Sequence, residues 1–184
     1  MKALCALLLL CACSAGTAVA GSAGRSAEEP AMVAAYLFNF GRFVQWPDAA
    51  FDGNKAPIEF CLYGDHPLDD HLDSLRGKRI GRREVAIRRL QRGAETSGCH
   101  VLFISASEQR YLRPLLREHS GRPVLTVSEI GDFAALGGVI GLVSNNRRLA
   151  FEINTETALR SSLTVSSQLL KLARRVVHES DGGR

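Results

Sequence analysis

The chain has 184 residues, 46% of them hydrophobic, and a formal net charge of +4, which suits one globular domain with a sizeable core. Its 23 Lys and Arg against 19 Asp and Glu are too evenly balanced to argue for a nucleic-acid partner. Beyond the N-terminal region, no stretch is long and apolar enough to cross a bilayer as a helix.

The first residues carry their own signal. Lys2 supplies a positive charge, Ala3 to Ala12 form a short apolar run, and Ala18-Val19-Ala20 offers a small-residue cleavage site before Gly21. Together these read as a secretory signal peptide over residues 1–20, cut after Ala20, which places the chain in the bacterial periplasm. A competing reading takes Leu10-Cys11-Ala12-Cys13 as a lipobox, with Cys13 lipidated. Loss of Lys2 leaves 22 basic against 19 acidic residues, a balance of +3. Three of the five cysteines, Cys5, Cys11 and Cys13, fall in the signal region, leaving Cys61 and Cys99. An even count in an oxidising compartment reads as one disulfide, the alternative being two buried thiols. Closing that loop would contribute about 4 kcal/mol at most.

Residues 21–29 are small and polar and read as a flexible leader. The spacing of Val33, Tyr36, Phe40 and Phe43 predicts a helix over 31–46, widened by Leu37 and Val44. Trp46-Pro47 should stop it, since a residue before proline avoids the α region. After a turn at Asp52-Gly53-Asn54, strands and helices alternate. Ile58–Tyr63 reads as a strand, Pro67–Leu75 as a short helix, and Val85–Leu90 as a strand. Val101–Ile104 is continuously apolar, as a strand buried on both faces would be. Ser107–His119 reads as a helix with Ser107 as N-cap. Pro123–Val127 and Val139–Val143 read as strands. Asn145-Asn146 offers a tight turn into Arg148–Ile153, so the last two strands should form a hairpin. Asn154 or Thr155 should cap a final helical region reaching His178, before a loose tail over 179–184. The pattern predicts a single α/β domain over 30–178. Its sheet should be mainly parallel, flanked by helices, with an antiparallel hairpin at the C-terminal edge.

Enzymatic signatures do not emerge. There is neither a G-x-S-x-G elbow nor a P-loop lysine, and Gly137-Gly138-Val139-Ile140-Gly141 enters a strand instead of leaving one. Those glycines read as turn and close-packing positions. Asp65, His66, Asp69, Asp70 and His71 could suggest a metal, but the two histidines are five apart and off one helical face. A polar turn with capping aspartates is the simpler reading. His100 and His119 have no evident companions. Arg76, Lys78, Arg79, Arg82, Arg83, Arg88, Arg89 and Arg92 crowd residues 76–92. They could face an acidic partner or anionic lipid, or form a solvated edge. Stacking aromatics, as single-stranded nucleic acid requires, are not interleaved among them. Tyr36, Phe40, Phe43 and Trp46 could be core or a partner surface. The residues alone support a periplasmic α/β binding or interaction domain, without a catalytic site or cofactor.

One resemblance goes further. Ala35-Tyr36-Leu37-Phe38-Asn39-Phe40, Phe43-Val44, Trp46-Pro47, Phe60-Cys61-Leu62, Cys99-His100-Val101-Leu102-Phe103-Ile104-Ser105 and Val124-Leu125-Thr126-Val127-Ser128 resemble, in order, the motifs of the YfiR family. Gly137-Gly138, Leu149, Phe151-Glu152-Ile153-Asn154, Ser166-Ser167, Leu169-Leu170 and Leu172-Ala173 continue the match to the C-terminus. The resemblance implies a periplasmic repressor that binds the periplasmic sensor domain of an inner-membrane diguanylate cyclase and lowers cyclic di-GMP, restraining biofilm growth. It also implies an OmpA-like outer-membrane lipoprotein as a sequestering partner. Cys61 and Cys99 match the family's structural pair, and the family's interaction surface maps to Ile140, Leu142, Glu152 and Ala158. Ile140 and Leu142 could equally be core. The family's second cysteine pair has no counterpart after Cys99, so redox control through it is not expected. A homodimer stays open. Two rivals remain: a periplasmic small-ligand binding protein, and a metal-dependent hydrolase built on His66 and His71.

Overall fold

The computed structural model describes residues 23–145 and 148–177. The expected signal peptide, the tail, and Asn146 of the expected turn lie outside the described residues. The elements run α1 (Ala23–Phe43), β1 (Val44–Gln45), β2 (Ile58–Tyr63), α2 (Asp69–Asp73), β3 (Arg79–Ile80), β4 (Arg83–Leu90) and β5 (Val101–Ile104). Then come α3 (Leu112–His119), β6 (Leu125–Ser128), β7 (Ile140–Asn145), β8 (Arg148–Asn154), α4 (Thr155–Arg160), β9 (Thr164–Val165), α5 (Ser167–Leu172) and β10 (Arg175–Val177).

Eight strands form one sheet in the order β10-β8-β7-β6-β5-β2-β4-β3. Pairing is parallel from β4 through β2, β5 and β6 to β7, and antiparallel between β7 and β8 and between β3 and β4. The domain is therefore α/β with a mainly parallel sheet and a C-terminal antiparallel hairpin. Strand β10 continues the sheet beyond that hairpin, parallel to β8. Side chains alternate to the two faces. On one, Val33, Leu37 and Phe40 of α1 meet Phe60, Leu62, Val101, Phe103, Leu125 and Val127. On the other, Leu112, Leu115 and Leu116 of α3 cover Cys61, Tyr63, Leu102 and Ile104.

Local chemistry explains where the elements depart from expectation. Helix α1 takes in residues 23–29, expected as leader, and contains Pro30. It stops at Phe43, three residues early, because Val44 and Gln45 pair antiparallel with Val165 and Thr164. The Ser166 N–H then donates to the Phe43 carbonyl at 2.9 Å, satisfying a helix-end acceptor. The cap ahead of α3 is Ser105, whose hydroxyl accepts from the Ser107 N–H, and the first turns, Ala106–Tyr111, are a 3-10 helix. Asn154 does cap α4, its side chain accepting from the Thr157 N–H at 2.8 Å. That helix ends at Arg160, well short of His178. Ser162 sits in the left-handed region at φ 55°, and Thr164-Val165 form β9. Ser166 then starts a new short helix by accepting from the Leu169 N–H.

Two glycines are required by space. A Cβ at Gly41 would lie 2.7 Å from Ile80 Cδ1 and 2.9 Å from Phe60 Cζ, so its absence lets α1 sit close on the sheet. A Cβ at Gly138 would lie 2.1 Å from Phe133 Cε1, a buried ring. The Gly137-Gly138 run is thus a turn and close-packing device, as its position before β7 suggests.

Candidate functional site

Helix α1 carries two adjacent apolar stripes. Val33, Leu37 and Phe40 are buried against the sheet. One step round the helix, Met32, Tyr36, Asn39 and Phe43 recur at three- and four-residue spacing and line a groove beside α5. Its floor is an aromatic trio: Phe40 and Phe151 have centroids 5.1 Å apart, and Tyr36 lies 5.6 Å from Phe40 and 5.8 Å from Phe151. The Tyr36 hydroxyl donates to the Leu149 carbonyl at 2.9 Å, fixing the ring against β8. The far wall is Leu169 and Leu172. The groove encloses about 350 Å³, and its rim is open, with Leu172 68% and Met32 37% exposed. The expected aromatic stripe is therefore divided: Phe40 is core, and Tyr36 and Phe43 face both core and groove. Trp46 packs elsewhere, its Nε1 donating to the His100 carbonyl at 3.2 Å.

Sequence reading missed Met32, Leu169 and Leu172 as surface candidates. A signal was present, because a six-residue helix holding Leu169, Leu170 and Leu172 cannot bury all three. The four residues suggested by resemblance are differently placed. Ile140, Leu142 and Ala158 are buried in the folded chain. Glu152 is half-buried, on the face of β8 opposite Phe151, and accepts from Arg175 at 2.7 Å.

The disulfide joins Cys61 of β2 to Cys99 just ahead of β5, across Cα atoms 5.8 Å apart. Arg88 on β4 lies beside it, with Nη2 3.0 Å from Cys99 Sγ and donating to the Ser97 carbonyl. Among the described residues, the whole basic run over 76–92 has partners within the chain. Arg76 and Arg89 share Asp73; Arg79 meets Glu84; Arg82 lies 3.9 Å from Asp48. Lys78 lies over the Phe38 ring. Arg83 is buried, donates to the Gly53 and Ala56 carbonyls, and stacks 3.6 Å from the Phe51 ring centroid. Arg92 grips Glu108 through two hydrogen bonds of 2.8 and 3.0 Å.

That last pair links the segments that follow β4 and β5, at the C-terminal end of the parallel strands, the end where a doubly wound sheet would hold a ligand. Glu108 is only 3% exposed. Arg92, aided by Ser107, holds its carboxyl below the usual carboxylate range against the opposing effect of burial. Gly64, at φ 86°, passes so close that a Cβ would lie 2.6 Å from Ser107 Oγ. His66 donates to Glu129 at 2.7 Å and packs T-shaped with the Phe103 ring. Among the described residues, no three His, Cys, Asp or Glu side chains converge as a metal site would need.

The groove, the buried disulfide and the glycine-dependent turn sit on a domain whose pattern can be compared with known families. Residues 30–174 match the model of one family, DUF4154, described as YfiR/HmsC-like. The chain belongs to the YfiR/HmsC-like family. That match takes in every element from the body of α1 to α5, including both walls of the groove and both cysteines. YfiR/HmsC-like proteins are periplasmic regulators in cyclic di-GMP signalling, not catalysts. The described residues contain no helix long and apolar enough to cross a membrane.

Proposed function

We propose that the protein is a periplasmic repressor that binds the periplasmic sensor domain of an inner-membrane diguanylate cyclase and holds that enzyme inactive. An OmpA-like outer-membrane lipoprotein would relieve repression by sequestering it. Residues 1–20 would be a signal peptide removed after Ala20, and mass spectrometry of the secreted protein would read Gly21 as its first residue. The mechanism is a population shift: the repressor favours the cyclase's inactive sensor conformation, and release frees it.

The observation that carries this reading is the open apolar groove on a domain of a regulatory family. Leu172 and Met32 present apolar surface at its rim, and Tyr36 and Phe43 are rigid aromatic anchors beneath. Buried aromatic and aliphatic anchors supply most of the energy of a protein interface. The test is capture of solubilised inner membranes from the source organism on the purified secreted protein. Recovery of a diguanylate cyclase, reduced at least about tenfold by Leu172→Glu, supports the proposal. Recovery of a sensor kinase alone, or unchanged cyclic di-GMP after deletion of the gene beside a cognate cyclase, refutes it.

A further inference from the structure

Another cavity lies on the opposite, α3-covered side of the sheet. It encloses about 250 Å³ between the end of α3, the start of β6 and α4. Arg113 and Arg117 rise from successive turns of α3, and Arg160 comes from α4. No carboxylate lines the cavity. Arg160 is paired with Glu156 at 2.9 Å. Among the described residues, Arg113 and Arg117 meet no carboxylate, in contrast to Arg76, Arg79, Arg89 and Arg92. Thr157 and Ser161 add hydroxyls to the wall.

His119 makes the cavity more than a patch of surface charge. It lines the space, is only 3% exposed, and neither ring nitrogen has a hydrogen-bond partner. Buried polar atoms in folded proteins are nearly always satisfied, so an orphaned imidazole beside a cavity calls for a partner. Burial holds the ring toward its neutral form; Arg122 acts in the same direction and Glu118 against it. A neutral imidazole still offers one N–H donor.

We propose that this cavity binds a small solute bearing a phosphate or carboxylate group, with its oxygens accepting from Arg113, Arg117 and the His119 ring. Guanidinium forks match the planar, multidentate geometry of both groups. The volume admits a solute the size of a tricarboxylate or a small phosphate ester and excludes a macromolecule. The site is separate from the apolar groove and stands whether or not a cyclase is the partner.

The experiment is thermal denaturation and calorimetric titration of the secreted protein with inorganic phosphate and with citrate, against sodium chloride at matched ionic strength. Saturable binding that Arg113→Gln/Arg117→Gln weakens by at least about tenfold supports the site. Both positions are exposed, so the double variant should keep the far-UV spectrum of the parent. As a second readout, saturating anion should shift the His119 imidazole resonances of the unmutated protein. A response to phosphate alone assigns a phosphate-bearing ligand, and to citrate alone a carboxylate. Stabilisation equal to that by sodium chloride, or binding unchanged in the double variant, overturns the proposal.

Discussion

Removing the disulfide gives the most quantitative expectation. Cys61 and Cys99 are separated by 38 residues, a loop containing α2, β3, β4 and the connection to β5. For a loop of that length the chain-entropy model predicts about 4 kcal/mol of stabilisation, acting by restricting the unfolded chain. In a domain of this size each kcal/mol moves the melting temperature by about 2–4 °C, so the loss should be about 8–16 °C. The variant of choice is Cys61→Ala/Cys99→Ala, because both sulfurs are buried and serine would bring in hydroxyls with no partners. Thermal unfolding by circular dichroism should show that fall. It should appear equally in the unmutated protein under a strong reductant, since β2 and β5 remain paired through Phe60–Val101 to Tyr63–Ile104. A fall below about 2 °C in both would refute loop closure as a main source of stability.

Gly138→Ala drives a Cβ into Phe133, and the overpacking should cost about 1–3 kcal/mol, read as a lower urea midpoint. His100 is buried, its Nδ1 accepting from the Glu59 N–H and its Nε2–H donating to the Ala50 carbonyl; burial lowers its pKa. The unfolded chain therefore binds that proton more readily, so stability should fall as pH drops below about 6.5, and urea titrations should show it. Glu108, held down chiefly by Arg92, has the usual carboxylate sign: its contribution is complete above the ordinary carboxylate range and lost as pH falls through its lowered value. Glu108→Gln should flatten that acid limb, and a limb as steep as the parent's would assign the loss to other groups.

Much of the sheet was legible because its strands are short apolar runs bounded by turn residues. Ile58–Tyr63 and Val101–Ile104 form strands at the expected bounds. The C-terminal region was misread because Thr155 to His178 has helical composition overall. What breaks it is tertiary: Thr164-Val165 find Val44-Gln45 as strand partners, and Arg175–Val177 find the edge of β8. At Ile140 and Leu142 the core was one of two readings the sequence left open, and the structure buries both; Ala158 was placed by resemblance, which carries a position without its depth. The arginines show the opposite pattern. Those of 76–92 stood out by density, yet they meet partners supplied by distant loops such as Asp48, Gly53 and Glu108. Arg113, Arg117 and Arg160, unremarkable in sequence, converge only because α3 and α4 pack beside the same end of β6.

The alternation of β8 separates two surfaces that sequence motifs run together. Phe151 points to the α1 side and forms the groove floor, while Glu152 points to the α3 side and holds Arg175 on β10. A partner seated in the groove need not touch Glu152, and one seated over Glu152 need not enter the groove. Glu152→Arg places two arginines together at the edge of the sheet, whereas Leu172→Glu alters only the groove rim. If capture of the cyclase depends on Leu172 and not on Glu152, the partner covers the α1 face and the basic cavity remains accessible in the complex. Dependence on Glu152 alone would place the partner on the α3 face, where the solute cavity also lies, and would make competition between partner and anion the next quantity to measure.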